Sequence, residues 1–144
     1  MVNLSYTVTT MRILLGIIIV LAILFVVARI LVARQAAPTN LGVSNRQLQP
    51  CPNTPNCVSS QAPESDTEHF MAAIPYSSDA TFMMTQLLKV VSALPRSTVV
   101  KQEDHYLHTE FSSQMFRFVD DVEFYLDDTN KLIHFRSASR LGQG

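Results

Sequence analysis

The chain has 144 residues, 47% of them hydrophobic and 16% charged, which is material for one small domain. Its charge is divided: four arginines and no acid precede Cys51, whereas from Cys51 onward twelve acids face seven bases, a balance of −5 within an overall −1. An acidic domain repels phosphate backbones and anionic lipid, which argues against nucleic-acid binding and against lying flat on a membrane.

Residues 13–28 read ILLGIIIVLAILFVVA without a charge, and residues 30–33 continue the apolar character past Arg29. At ~1.5 Å per helical residue, roughly 20 such residues match the ~30 Å hydrocarbon layer. A core helix in so small a domain would carry a polar stripe, and this segment has none. Residues 1–34 are therefore expected to form an N-terminal tail and a transmembrane helix, with the lipid bilayer as partner. Ala33, Ala36 and Ala37 are small residues of the kind found where a secretory signal is cut. The run is longer than a signal's apolar region and ends in arginines, so an uncleaved anchor is expected. Two cues to orientation conflict. Arg29 and Arg34 after the span outnumber Arg12 before it, which favours a cytoplasmic domain, although Arg29 can snorkel out of that count. The cysteines favour the other side, and an extracytoplasmic domain on a single-pass membrane protein is the expectation drawn.

Residues 35–50 show no sustained hydrophobic period and read as a linker, so the domain is expected over residues 51–144. Residues 50–63, PCPNTPNCVSSQAP, pack four prolines and both cysteines into a stretch that excludes a helix and reads as a structured turn. Between 79 and 94, Ala80, Met83, Leu87, Val90, Val91 and Leu94 recur at helical spacing, with Ser78 or Asp79 to cap the start and Pro95 to end it. From Thr98 onward the period becomes two. Residues 98–102, 105–112, 115–127 and 132–138 are predicted strands, joined by connections short enough to force an antiparallel meander. The predicted fold class is α+β: one amphipathic helix packed on a meander of about four strands.

The densest charge lies in FRFVDDVEFYLDD, residues 116–128, and the HFRSASR that follows. A turn centred on Asp128 and Thr129 pairs Phe124 with Ile133 and Val122 with Phe135 on one face. On the other it pairs Glu123 with His134 and Asp121 with Arg136. A slip by one residue would set Glu123 against Phe135, so the pattern specifies its own register. Alternation places Asp120 on the apolar side opposite Ser137, where it needs a cation such as Arg140, or a β-bulge that turns it outward. The candidate polar site is Asp120, Asp121, Glu123, His134, Arg136 and Arg140. These residue types can bind a ligand or move protons, or they can form a cross-strand ion-pair ladder; with no activated nucleophile beside them, the ladder is the favoured reading.

Cys51 and Cys57 enclose only PNTPN, and a turn there brings them within disulfide range. Outside the cytoplasm the alternative is a bond; inside it, two free thiols. The C-x5-C spacing is not that of a zinc knuckle even with His69 and His105 or His108 nearby, so no metal is expected. His105 and His108 face opposite sides of a predicted strand and read as surface or half-buried side chains. There is no phosphate-cradling glycine loop, no G-x-S-x-G and no H-E-x-x-H; no cofactor is expected.

Taken together, CPNTPNCVSS (51–60), FRFVDDVEFYLD (116–127) and HFRSASRLG (134–142) resemble the domain-of-unknown-function family fourteen-ninety-nine, a family of bacterial and plastid proteins. The resemblance spans about residues 51–142. It implies a small domain, often behind an N-terminal membrane or export segment in the cell envelope, and brings no catalytic residue with it. The cysteine pair, the Asp120, Asp121 and Glu123 cluster, and Arg136, Ser137, Ser139 and Arg140 match the family's motifs. Similar proteins continue past the RSASR-like segment with a basic, helical stretch. The chain is accordingly expected to be shortened at its C-terminus, or to have a protein partner covering an open sheet face. The function expected is a membrane-anchored, non-catalytic binding or interaction domain. The alternative is an envelope enzyme using the Asp/Glu/His cluster for acid-base chemistry.

Overall fold

The computed structural model describes residues 4–141, and the chain divides at Gln35 into two compact units, each described by itself. The first is α1, Leu4–Ala33, a helix without proline whose 27-residue core Tyr6–Val32 is long and apolar enough to cross a membrane. At ~1.5 Å per residue that core exceeds the hydrocarbon thickness. Its apolar side chains point outward on every side, from Ile17 and Leu21 to Phe25.

The second unit is one antiparallel sheet with α2 on one face. β1 (Cys57–Ser59), β2 (Ile74–Pro75), β3 (Ser97–Glu103), β4 (Tyr106–Ser112), β5 (Val119–Asp127) and β6 (Leu132–Ser139) lie in the order β1-β6-β5-β4-β3, with β2 also paired to β6. The fold is α+β, and the last four strands form the expected meander. β1 comes from the proline-rich region and β2 is a two-residue strand that ends in Pro75, so missing N–H groups and short runs hide the strand character of both from a period-based reading.

α2, Ala80–Ala93, starts where Asp79 accepts a hydrogen bond from the Phe82 amide at 2.8 Å, and it stops at Leu94, before Pro95. Its buried side is Ala80, Met84 and Val91, with Met83, Leu87 and Leu88 flanking, against Leu107, Leu126 and Ile133 of the sheet. Val90 and Leu94, expected on the buried face, are exposed. Residues 84, 88 and 91 repeat at the same helical spacing as the expected set, so periodicity alone left the face rotated.

Three further expectations are corrected. The β5–β6 pairs are Glu123↔Arg136, Phe124↔Phe135, Tyr125↔His134 and Asp121↔Ala138, two residues away from the expected register. The reason is a longer loop. Asp127 Oδ1 accepts from the amides of Thr129 (3.0 Å) and Asn130 (3.2 Å), and Lys131 adopts φ 54°, so four residues, 128–131, separate the strands. A two-residue change keeps every side chain on its face. Second, pairing runs unbroken from Asp120↔Ser139 to Asp127↔Leu132, so no bulge turns Asp120 outward; the irregularity lies in β3, between Val99 and Lys101. Third, β5 begins at Val119 rather than at 115, because residues 113–118 close a loop through Ser113 N–H to the Phe118 carbonyl, 2.8 Å.

The face carrying Asp121, Glu123 and Asp127 is the larger surprise: all three are buried. Their cover is the segment of residues 42–48. Gly42 N–H donates to Glu123 at 2.7 Å, Arg46 Nη2 to Asp127 at 2.6 Å, and Leu48, itself buried, donates its amide to Gln61 Oε1 at 2.8 Å. The second half of the expected linker is thus a strap lying across the sheet.

Candidate functional site

Alternation on three neighbouring strands brings the polar side chains to one face. Tyr106, His108 and Glu110 on β4 stand opposite Tyr125, Glu123 and Asp121 on β5, and Glu123 in turn faces Arg136 on β6. Two connected clusters result. In the first, Asp121, 1% exposed, accepts from His108 Nε2 at 2.8 Å and from Arg140 at both oxygens, Nε at 2.7 Å and Nη2 at 2.7 Å. Arg140 also bonds Glu110. In the second, Glu123, 0% exposed, accepts from Tyr106 Oη at 2.8 Å, Gly42 N–H at 2.7 Å and Arg136 Nη1 at 3.3 Å.

The charge states follow from these contacts. Burial pushes the Asp121 carboxyl up, but the hydrogen bonds from Arg140 and His108 outweigh it and bring the group down to about 2. Arg140 is held above its ordinary value, first by Asp121. Burial, then the hydrogen bond to Glu123, raises the Tyr106 phenol, which stays a donor. A carboxylate with three charge-assisted or neutral donors and a pKa near 2 takes up no proton around neutrality, so Asp121 is poorly suited to general base work.

Of the six sequence-predicted site residues, the fold brings Asp121, Glu123, Arg136 and Arg140 together. His134 is on the same face but opposite Tyr125, with which it stacks at 6.1 Å, and its Nδ1 lies 3.2 Å from Ser60 Oγ. Burial lowers its pKa. Asp120 is on the other face, half-buried, its side chain without a hydrogen-bond or ion-pair partner among the described residues. It lines a cavity of about 600 Å³ with Asn56, Phe118, Ser137 and Leu141. Arg140, expected as its cation, is engaged by Asp121 and Glu110.

Sequence reasoning missed Tyr106, His108 and Glu110. The signal was present: a Y-x-H-x-E run has the same period as the D-x-E of β5, and opposing them in an antiparallel pair puts donors against acceptors. His69, weighed as a metal ligand, instead bonds Asp66 Oδ2 at 2.8 Å and the Thr54 carbonyl at 3.1 Å. Both ring nitrogens face acceptors, which the doubly protonated ring alone satisfies. The Asp66 hydrogen bond, then that to Thr54, raises its pKa accordingly. Among the described residues no three of His, Cys, Asp and Glu form a metal-holding group.

His69 thereby pins the loop that Cys51 and Cys57 close through a disulfide, their Cα atoms 5.6 Å apart. Between this loop, the strap and β6 lies a cleft of about 420 Å³, lined among others by Asn40, Pro50, Cys51, Asn56, Arg136 and Arg140.

A helix-backed antiparallel sheet, its opposite face a buried charge network under a strap and a disulfide loop, defines a small α+β domain that follows a helix able to cross a membrane. Residues 47–144 match the sequence profile of the family described as protein of unknown function (DUF1499), and the chain belongs to that family. No curated protein and no solved structure matches it.

Proposed function

We propose that the chain is a single-pass membrane protein whose domain lies outside the cytoplasm and binds a ligand without turning it over. The observation that carries this reading is the saturation of Asp121: three hydrogen bonds from Arg140 and His108, with the carboxyl at about 2. Glu123 is equally committed, to Tyr106, Gly42 and Arg136. Acid-base catalysis at neutral pH needs a group whose pKa lies near the working pH, and the two buried carboxylates are instead spent on holding three strands and a strap together. The disulfide supports the extracytoplasmic side, since such bonds persist in oxidising compartments. The length and unbroken apolarity of α1 support an anchor.

The test is a pH titration of the carboxyl carbons by NMR on the full chain in detergent micelles. Asp121 is expected to remain ionised from neutrality down past about pH 4, since its folded pKa lies below the unfolded value of ~3.9. An Asp121 resonance titrating between about pH 5 and 8, in the range where general acids and bases operate, would return the site to the enzyme reading. For topology, a reporter fused after Gly144 should be active only outside the cytoplasm; activity only inside would contradict the orientation proposed.

A further inference from the structure

Of the four acids on β5, Asp121, Glu123 and Asp127 are buried and bonded on one face. Asp120 projects from the other, and its side chain alone of the four has no hydrogen-bond or ion-pair partner among the described residues. It is half-buried, and neither of its oxygens is closed off from water. Strand alternation puts Ser139, Ser137 and Val58 on the same face, because Ser139 pairs with Asp120, Ser137 with Val122 and Val58 with Ser137. All four residues line the cavity of about 600 Å³, so the cavity lies on the side to which their side chains point. Phe118, whose ring centroid is 5.7 Å from that of Phe116, and Leu141 add apolar wall. Pockets of roughly 300–1,000 Å³ with apolar walls and a few polar groups are the usual form of a small-ligand site.

Three oxygen acceptors share that face. Directly opposed residues of an antiparallel pair have Cβ atoms about 5 Å apart and diagonal neighbours about 7 Å, so the Asp120 carboxylate and the hydroxyls of Ser139 and Ser137 come within reach of one group. Ser139 Oγ gives its hydrogen to the Leu141 carbonyl at 2.6 Å and keeps its lone pairs. Ser137 Oγ has no partner among the described residues and is open to water. The geometry points to a subsite for a primary ammonium: Asp120 supplies the opposite charge, the two serine hydroxyls accept the other N–H groups, and the apolar walls receive the stem that carries the nitrogen. The ligand class is therefore a primary amine on an apolar stem, either a free amine or a lysine side chain. A quaternary ammonium carries the charge but has no N–H to give. This assignment rests on the binding reading above and names the ligand class for it. The net −5 of the chain from Cys51 onward draws cations toward the domain, and hydrogen bonds between charged partners are the strong ones.

The experiment uses the full chain in uncharged maltoside micelles at neutral pH and follows the Asp120 carboxyl carbon by ¹³C NMR, assigned by its loss in Asp120→Asn. n-Butylamine, Nα-acetyl-lysine amide and butyltrimethylammonium are titrated against sodium chloride of equal ionic strength. The expected result is a saturable shift with a primary ammonium, at least about tenfold weaker with the quaternary probe, which forfeits the N–H bonds to the carboxylate and hydroxyls. Asp120→Asn has no partner to lose, so it should leave the melting temperature unchanged. Read at the amides of Ser137 and Ser139, it should weaken binding at least about tenfold. A shift with the lysine amide and not with butylamine would support the subsite and identify its source as a lysine side chain; the reverse would support it and identify a free amine. No saturable shift with either primary ammonium, equal binding of the quaternary probe, or undiminished binding to Asp120→Asn would overturn the assignment. Any of these failures is separable from failure of the binding reading, which the titration of Asp121 on the opposite face decides.

Discussion

Glu123 of β5 and Arg136 of β6 stand directly opposite each other, their side chains 0% and 9% exposed and joined at 3.3 Å. A pair this deeply buried is sensitive to losing one partner, because the remaining charge is stranded away from water. Glu123→Gln should therefore destabilise the domain by about 3–5 kcal/mol. Arg46→Ala removes the partner of buried Asp127 from a side chain that is itself 56% exposed, where solvent screens the pair. Asp127 keeps its bonds from Thr129 and Asn130, so that change should cost far less than Glu123→Gln. Paired urea titrations of the two variants read the contrast.

Acid should unfold the domain through Asp121 and Asp127. Burial pushes Asp127 up, but hydrogen bonds from Asn130 and then Arg46 bring it to about 2, where Asp121 also lies. Both folded values are below the unfolded ~3.9, so their stabilisation is complete above about pH 4 and lost as the pH falls through about 2. The histidines act in opposite senses. His69, raised by Asp66, stabilises below its ordinary value and loses that as the pH rises; His134, lowered by burial, stabilises above it and loses that as the pH falls. Melting curves from pH 2 to 8 should show a steep acid limb below about pH 4 and a nearly flat region near neutrality. A limb centred near neutrality would contradict the assignment.

The disulfide closes a short loop, with a sequence separation of 6. Chain-entropy arguments put the loss on Cys51→Ala with Cys57→Ala at about 2 kcal/mol. Intact-mass measurement should find the chain lighter by two hydrogens than after reduction, with alkylation at both cysteines only after reduction. The double variant should also broaden the resonances of Arg136 and Asn56, which share the cleft with the loop.

Gly42 holds φ +122°, and a Cβ there meets nothing within 4 Å. Gly42→Ala is thus penalised by backbone conformation alone, by roughly 1–3 kcal/mol. Because the same residue donates its amide to Glu123, the strap should loosen first. Amide exchange faster at residues 42–48 than on β5 is the expected signature.

Alternation made the faces of β5 and β6 legible, since a register change by an even number of residues leaves every side chain on the same face. The loop length was not, because DDTNK offers two aspartates able to start the turn, and the one used is Asp127. Burial of the charged face was hidden for a different reason. Its cover binds through the Gly42 amide, Arg46 and Gln61 rather than through an apolar stripe, so residues 42–48 carry no hydrophobic period to read. His108 was legible in principle; placed opposite Glu123 and bonded to Asp121, it needed only the β4–β5 pairing to be aligned.

The reading proposed above makes Asp121 a structural hub, tying His108 of β4 and Arg140, just past the end of β6, to β5, rather than a reacting group. Thermal unfolding of Asp121→Asn in the intact chain at neutral pH tests it most directly. Leaving Arg140 and His108 without their carboxylate should cost about 3 kcal/mol or more, which for a domain of about 100 residues lowers Tm by more than about 10 °C. An unchanged Tm in Asp121→Asn, with the biological activity of the chain abolished, would contradict the claim and make Asp121 a catalytic residue after all.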